Sequence, residues 1–226
     1  MLRFAYFFGL ALFSLCACNS EFPASTQNLQ SAEQAFDAEL LVRSLDKIEA
    51  WHIENDTGVA GSLGAGRSIS SIVEQFAGTA CTPTEEMQAI WSWHDGAISP
   101  VPFAWYHDFL PVDEALSEYK SLLLNPLVPW DPRFFPIFSF EGEWYATYCG
   151  KGARSAGPVM FYFLEDGPRV TFLNLTTYAA TMAEALESGA VRFEKGAMVE
   201  DIQAVRLIHQ KYNPDYEFPY YVPDGP

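Results

Sequence analysis

Two adjacent histidine–aspartate pairs, His94-Asp95 and His107-Asp108, carry the side chains of this sequence that are best suited to chemistry. Imidazole nitrogens and carboxylate oxygens bind divalent metals, so the two pairs could hold one ion together if their loops converged. The corresponding activity would be that of a metal-dependent hydrolase. However, neither histidine is spaced from another histidine on one helix as zinc hydrolases require. The competing interpretation is structural: His94 lies on a helix face, Asp95 satisfies a helix end or a turn, and the second pair begins a loop.

Other catalytic signatures are missing from the sequence. It contains no Gly-x-Ser-x-Gly elbow, the turn that exposes the nucleophile of α/β-hydrolases. Gly64-Ala65-Gly66 lacks a third glycine at the spacing of a dinucleotide-binding loop and follows no predicted strand. Neither a P-loop nor a Cys-x-x-Cys pair occurs. We therefore expect no metal, no cofactor and no enzymatic activity.

The composition is that of one folded, acidic domain. The chain of 226 residues is 49% hydrophobic and 15% aromatic, which suffices for one well-packed core and is too short for several domains. Its 29 acidic residues against 13 basic ones give a formal net charge of −16. This charge repels the phosphates of nucleic acids, so we expect no nucleic-acid partner. It favours a basic protein partner, although net charge also keeps exported proteins soluble.

The first residues have the character of an export signal. Arg3 precedes an apolar run of 14 residues, too short to cross a hydrocarbon core of about 30 Å as a helix. The run ends in Leu15-Cys16-Ala17-Cys18, which resembles the bacterial lipobox because a small residue directly precedes the cysteine to be modified. We predict a signal peptide over residues 1–17, lipid attachment at Cys18 and a flexible tether over residues 18–34. Secretion without lipidation is the alternative.

Lipidation would place the protein in the bacterial cell envelope, periplasmic or associated with the outer membrane. The acyl chains on Cys18 would be its membrane anchor, because no later stretch reaches 18 consecutive apolar residues. Asn19 directly follows Cys18, and asparagine at this position of a lipoprotein implies transfer to the outer membrane in Gram-negative bacteria. In this oxidising compartment Cys81 and Cys149 could form a disulfide. The alternative is two buried thiols that pack as small apolar side chains.

Apolar residues at spacings of three and four predict helices on both sides of a β-rich region. The clearest local signal is a capping box, in which Thr82 caps a helix, Pro83 takes the first helical position and Glu85 reaches back to the cap. We predict that this helix ends at Gly96 in a left-handed C-cap. The apolar positions of the six predicted helices are Leu41, Leu45 and Ile48; Ile69, Ile72, Val73 and Phe76; Met87, Ile90 and Trp91; Val112, Leu116, Tyr119 and Leu123; Tyr178, Met182 and Leu186; and Ile202, Val205 and Ile208.

Between these helices the pattern changes to short runs rich in aromatic and β-branched residues, which predict strands. Glu141-Gly142 and Asp166-Gly167-Pro168 are connections of hairpin length, so the strands should form an antiparallel meander. We predict an α+β domain over residues 35–213, with about four to six strands packed against N-terminal and C-terminal helices. A Tyr- and Pro-rich tail covers residues 214–226. The predicted strands are residues 134–140, 143–149, 159–164 and 169–173.

Four phrases of the sequence, taken in order, resemble the SUKH superfamily, the Smi and Knr family of fungal cell-wall regulators and bacterial toxin-immunity proteins. The resemblance spans roughly residues 45–213. It implies a single SUKH-like α+β domain. The four phrases are the capped helix over residues 82–91 that closes on His94-Asp95-Gly96, the segment 130–138 with Phe135-Pro136-Ile137, the strand opening Gly157-Pro158-Val159-Met160, and the helix from Thr177-Tyr178 to Leu186-Glu187-Ser188-Gly189.

Members of this family act by binding proteins, so the resemblance implies protein binding without catalysis. The leading hypothesis is an envelope-tethered immunity protein that binds and neutralises a toxin, with a basic toxin as the partner that charge favours. The alternatives are a lipoprotein that scaffolds or regulates cell-wall proteins, and the metal-dependent hydrolase described above. The candidate aromatic anchors for a partner, which could instead pack back onto the domain, are Trp105, Tyr106, Tyr216, Phe218, Tyr220 and Tyr221.

Overall fold

A computed structural model describes residues 36–149 and 155–220 of the chain. These residues form the predicted α+β arrangement, and contacts group Ser31–Pro226 into one compact unit. No helix within the described ranges is both long and apolar enough to cross a membrane. The helices are α1 (Ala38–Glu54), α2 (Val59–Ser62), α3 (Ile69–Gln75), α4 (Glu85–Trp93), α5 (Val112–Leu124), α6 (Leu175–Glu187) and α7 (Ile202–Tyr212).

The described strands pair antiparallel and form three sheets. They are β1 (Leu63–Ala65), β2 (His94–Ala97), β3 (Pro102–Ala104), β4 (His107–Phe109), β5 (Phe134–Phe140), β6 (Glu143–Tyr148), β7 (Val159–Phe163), β8 (Gly167–Phe172), β9 (Val191–Glu194) and β10 (Ala197–Glu200). The largest sheet has the order β3-β4-β5-β6-β7-β8, while β1 pairs with β2 and β9 with β10. The predicted meander from β5 to β8 is confirmed, and β3 and β4 extend it to six strands.

The hairpin between β5 and β6 follows directly from the sequence. Glu141 and Gly142 both have positive φ, at 39° and 93°, so the two-residue turn has the sense that matches the twist of antiparallel strands. The turn fixes a register in which Phe140 faces Glu143. Lys195 and Gly196 repeat this conformation between β9 and β10.

Helices cover both faces of the six-stranded sheet. Neighbouring residues of a strand point to opposite faces. On β6, the indole N–H of Trp144 donates to Glu118 of α5 at 2.9 Å, while the ring of Tyr145 packs 5.1 Å from that of Tyr178 on α6. In turn, α1 packs along α6 with Leu41, Leu45 and Ile48 buried. Aromatic residues on both faces of β6 therefore hold the sheet between α5 and α6.

The N-cap of α4 differs from the prediction. Thr84, not Thr82, accepts the backbone N–H of Met87 at 3.2 Å, and the helix begins at Glu85. Pro83 therefore precedes the cap instead of following it. Gly96 has the predicted left-handed conformation, with a φ of 65°, but it lies in β2 and not at the end of α4. A Cβ there would collide with the backbone of Pro111, so both the conformation and the close approach explain the glycine.

The predicted buried face of α3 is wrong for two of its four residues. Ile72 and Phe76 are buried, but Ile69 and Val73 are exposed. The helix has only seven residues and packs against α4 and α5 with one narrow side. Its apolar spacing therefore overstates the width of the buried face.

Candidate binding surface

The first His–Asp pair is taken up by structural contacts. His94 follows α4, and its Nδ1 lies 2.7 Å from the carbonyl oxygen of Gly64 on β1. Asp95 accepts the Arg67 guanidinium at 2.5 Å with one oxygen and the backbone N–H of Val112 at 3.0 Å with the other. Asp95 thus caps the first turn of α5, a different helix from the one expected, and positions Arg67.

The second His–Asp pair lies on β4, where adjacent side chains point to opposite faces. His107 is completely buried, and burial lowers its pKa, so the imidazole is neutral near neutral pH. Its Nε2 lies 3.4 Å from a carboxylate oxygen of Glu143 on β6. Burial also raises the pKa of Asp108, which is only half-buried. In residues 36–149 and 155–220, no three His, Cys, Asp or Glu side chains are grouped so that they could hold a metal ion.

Cys81 and Cys149 are joined by a disulfide, with a Cα–Cα distance of 5.1 Å. Both cysteines are buried. The bond connects the segment before α4 to the residue after β6, so it ties a helix of the N-terminal half to the central sheet. The predicted lipid site Cys18 and the predicted leader and tether over residues 1–34 lie outside the described residues.

Most of the predicted aromatic anchors pack onto the domain, which was the alternative interpretation. Trp105 is fully buried, with its ring 5.8 Å from that of Tyr145. The hydroxyl of Tyr145 donates to that of Tyr220 at 3.2 Å, and Phe218 packs 5.4 Å from His209. Tyr216 is half-buried and Tyr221 lies outside the described residues. The anchor hypothesis is therefore wrong for Trp105, whereas Phe218 and Tyr220 are half-buried and pack onto the domain.

Tyr106 is the predicted anchor that remains exposed, with 40% of its surface accessible. It follows Trp105 in the turn between β3 and β4 and lies beside Phe140, the last residue of β5, with 6.1 Å between ring centroids. Phe140 is 36% and Leu164 49% exposed. The backbone N–H of Leu164 donates to the carbonyl of Gly142 at 3.4 Å, so the β5–β6 and β7–β8 turns lie side by side.

These turns gather apolar and acidic side chains at one end of the six-stranded sheet. All the acidic residues of the two turns are exposed, and Arg169 lies 3.3 Å from Asp166. Because that ion pair is exposed, it neutralises the surface only weakly. We call this region the hairpin-end surface; its residues are Tyr106, Phe140, Glu141, Leu164, Glu165 and Asp166.

A half-buried carboxylate of the β9–β10 hairpin lies beside Tyr106. The phenol of Tyr106 faces Glu200 of β10, whose pKa is raised by burial. Burial and the neighbouring carboxylate likewise raise the pKa of the Tyr106 phenol, so this group stays protonated and neutral at physiological pH. The β9–β10 hairpin therefore contributes to the hairpin-end surface as a support.

A second buried carboxyl with a raised pKa lies away from this surface. Glu86 of α4 is completely buried, and burial raises its pKa to about 7. Its oxygens accept the backbone N–H groups of Leu175 and Thr176, at 3.2 and 2.9 Å, at the N-terminus of α6. Glu86 thus joins α4 to the first turn of α6, where the helix dipole favours a carboxylate.

Sequence reasoning missed Phe140 and Leu164. Both belong to runs that were correctly predicted as strands, and each lies at the point where its strand meets a turn. An aromatic or aliphatic residue directly before an acidic turn was the available signal.

No protein-family model and no curated protein matches the sequence of this chain.

Proposed function

We propose that this chain is a lipid-anchored protein of the bacterial cell envelope that binds and neutralises a toxin, in the manner of the SUKH-type immunity proteins that its sequence resembles. The hairpin-end surface carries the proposal. It presents the exposed side chains of Tyr106, Phe140 and Leu164 among carboxylates that have few cationic neighbours. Protein interfaces commonly combine an apolar centre that has aromatic anchors with a charged rim.

The surface is held rigidly, which favours tight binding. The β5–β6 turn has two residues, and a Cβ on Gly142 would lie 2.9 Å from Leu164, so the two neighbouring turns are in close contact. Tyr106 packs against Phe140 and faces Glu200. A surface that is already ordered loses less conformational entropy on binding than a flexible loop does.

The charge of the chain supports a basic partner. With a formal net charge of −16, the protein attracts a cationic protein over distances comparable to the Debye length, about 8 Å at physiological ionic strength. Carboxylates at the rim of an interface raise the association rate, and they also pair with the cations of the partner in the complex. Complex formation should therefore be fast at low salt and slower as salt is added.

The Cys81–Cys149 disulfide supports the proposed location. Structural disulfides persist in oxidising compartments such as the bacterial periplasm and are rare in the cytosol. The same bond would help a small domain to survive outside the cell's chaperone and protease systems. This is independent of the predicted lipid on Cys18.

The proposal is tested by affinity capture from the envelope of the host with three forms of the lipidated protein. The first is the wild type, and the second carries Glu141→Gln, Glu165→Gln and Asp166→Asn on the hairpin-end surface. The third, a matched control, removes three exposed carboxylates elsewhere by Glu54→Gln, Glu74→Gln and Glu217→Gln. We expect wild type and control, but not the hairpin-end variant, to retain one basic protein that salt releases. Equal retention by all three forms would contradict the proposal.

A further inference from the structure

A second exposed apolar feature lies at the end of α5. Leu123 is 41%, Leu124 83% and Leu127 86% exposed, and every residue from Leu123 to Leu127 is exposed. We call Leu123, Leu124 and Leu127 the leucine turn. Two of the three leucines thus remain almost entirely in water, a costly arrangement for aliphatic side chains in a folded protein.

The leucine turn is ordered by its own hydrogen bonds. The side-chain oxygen of Asn125 accepts the backbone N–H of Leu127 at 3.0 Å, and the Asn125 carbonyl accepts that of Val128 at 3.2 Å. Leu122 and Val128, on either side, are buried and attach the turn to the domain. The three leucines therefore project from an ordered turn and are not core residues exposed by local unfolding.

The chemistry of this projection differs from that of a protein-binding site. It contains leucine and proline but no aromatic residue and no arginine, and leucine is under-represented among the residues that dominate protein interfaces. A tip of a few side chains is also much narrower than the roughly 800 Å² per partner of a standard protein interface. Aliphatic side chains on a narrow tip are instead suited to the boundary between lipid headgroups and acyl chains.

The local charge also suits a lipid surface. Residues 119–130 contain no acidic side chain, in a chain of net charge −16, and one cation, the exposed Lys120, lies one helical turn before Leu123 and Leu124. A lysine in this position can reach lipid phosphates while its alkyl chain covers apolar surface. The segment of the leucine turn therefore adds no negative charge of its own that would repel anionic lipids.

We propose that the leucine turn is a second membrane contact, which inserts into the headgroup region of a lipid bilayer. The inference rests on the proposed envelope location for its biological setting. The 17 residues between Cys18 and Phe36, the first described residue, span at most about 60 Å, so a lipid on Cys18 would keep the domain at high effective concentration near the bilayer. A contact that binds a free protein only at millimolar lipid would then hold an anchored one in a fixed orientation.

The test uses the compact unit Ser31–Pro226, which carries no lipid, and vesicles of phosphatidylcholine. Co-sedimentation measures the partition coefficient of the wild type, of a Leu124→Ser/Leu127→Ser variant, and of an Ile98→Ser/Leu207→Ser control. The control removes two side chains that are 77% and 67% exposed elsewhere. We expect the leucine-turn variant to lose at least about tenfold in partitioning and the control to change less than about twofold. Equal partitioning of all three, or no sedimentation of the wild type at millimolar lipid, would overturn the inference.

Lipid charge separates insertion from electrostatic attraction. Because the domain is acidic, replacing a quarter of the phosphatidylcholine by phosphatidylglycerol should weaken binding, and added salt should restore it. Stronger binding to the anionic vesicles would contradict insertion of the leucines as the main contribution.

Two further measurements distinguish other occupants of the leucine turn. Self-association of the wild type without lipid, abolished by Leu124→Ser/Leu127→Ser, would assign the turn to a second copy of the chain. Loss of the captured basic protein in this variant would assign it to that partner. Either result would overturn the membrane contact, whereas capture that depends only on the hairpin-end surface leaves the proposed function standing by itself.

Discussion

Glu86 and Thr176, 90 residues apart in the sequence, are joined by a hydrogen bond of 2.6 Å from the threonine hydroxyl to the carboxylate. The carboxylate also accepts the backbone N–H groups of Thr176 and Leu175. Burial raises the pKa of Glu86 to about 7. The hydrogen bonds lower this pKa, but burial has the larger effect. A single side chain of α4 thereby makes the packing of α6 sensitive to pH.

We predict that Glu86 makes the folded state more stable as the pH falls. Its pKa is about 7 in the folded protein and 4.5 in the unfolded chain, so between these values the folded state binds the additional proton. The contribution is fully present below the unfolded pKa and is lost as the pH rises through 7, with a full amplitude of about 3 kcal/mol. Urea unfolding of wild type and Glu86→Gln from about pH 8 to about pH 5 measures it as the difference between the two.

The comparison with Glu86→Gln is needed because three buried histidines act in the opposite direction. Burial lowers the pKa of His52, His107 and His209, so each favours the unfolded chain as the pH falls below the ordinary histidine value of 6.5. The variant keeps all three and should lose stability on acidification more steeply than the wild type. Parallel pH profiles for the two proteins would show that Glu86 does not have a raised pKa.

We predict that the disulfide contributes several kcal/mol to folding. Cys81 and Cys149 are separated by 68 positions, and closing a loop of that size restricts the unfolded chain by about 4 kcal/mol in the chain-entropy model. A Cys81→Ala/Cys149→Ala variant should therefore unfold at a lower urea concentration. A thiol reductant should destabilise the wild type and leave the double variant unchanged. A wild type that is indifferent to reduction would contradict the prediction.

Asp95 should matter more to stability than Asp113, although both bind Arg67. The Asp95 side chain is 14% exposed and also caps α5 through Val112, whereas that of Asp113 is 59% exposed. Asp95→Ala loses a cap and leaves the partly buried guanidinium with one partner, at a cost of about 2 kcal/mol. Asp113→Ala should cost less than about 1 kcal/mol. Urea unfolding of both variants tests this order, and equal costs would contradict it.

The extent to which the sequence predicts this fold depends on whether local patterns or distant contacts decide each element. The periodic apolar residues of α1 and α5 and the Glu141-Gly142 turn carry their own signals, and these elements are confirmed. The strands β1 and β3 have three residues each and no usable period, so only their pairing partners define them. The cap of α4 lies at Thr84, and Glu86 in the first turn of this helix bonds Thr176, 90 positions away, a contact that no local pattern indicates.

The candidate site could be predicted only in part, because distant contacts bring its residues together. Tyr106 was named from the sequence, but its neighbours Phe140 and Leu164 come from two other connections that only the sheet register brings together. The residues of the second His–Asp pair do not share a site, because the side chains of adjacent strand residues point to opposite faces. His107 points into the core, and Asp108 points to the other face of the sheet.

The central claim, that the protein protects its host by binding a toxin through the hairpin-end surface, is tested most directly by growth in mixed culture. A strain that lacks this protein is grown with its parent strain and complemented with the wild type, with the hairpin-end variant Glu141→Gln/Glu165→Gln/Asp166→Asn, or with the control Glu54→Gln/Glu74→Gln/Glu217→Gln. We predict that the deleted strain is eliminated by its parent and is rescued by the wild type and the control but not by the hairpin-end variant. Survival of the deleted strain beside its parent, or full rescue by the hairpin-end variant, would contradict the claim.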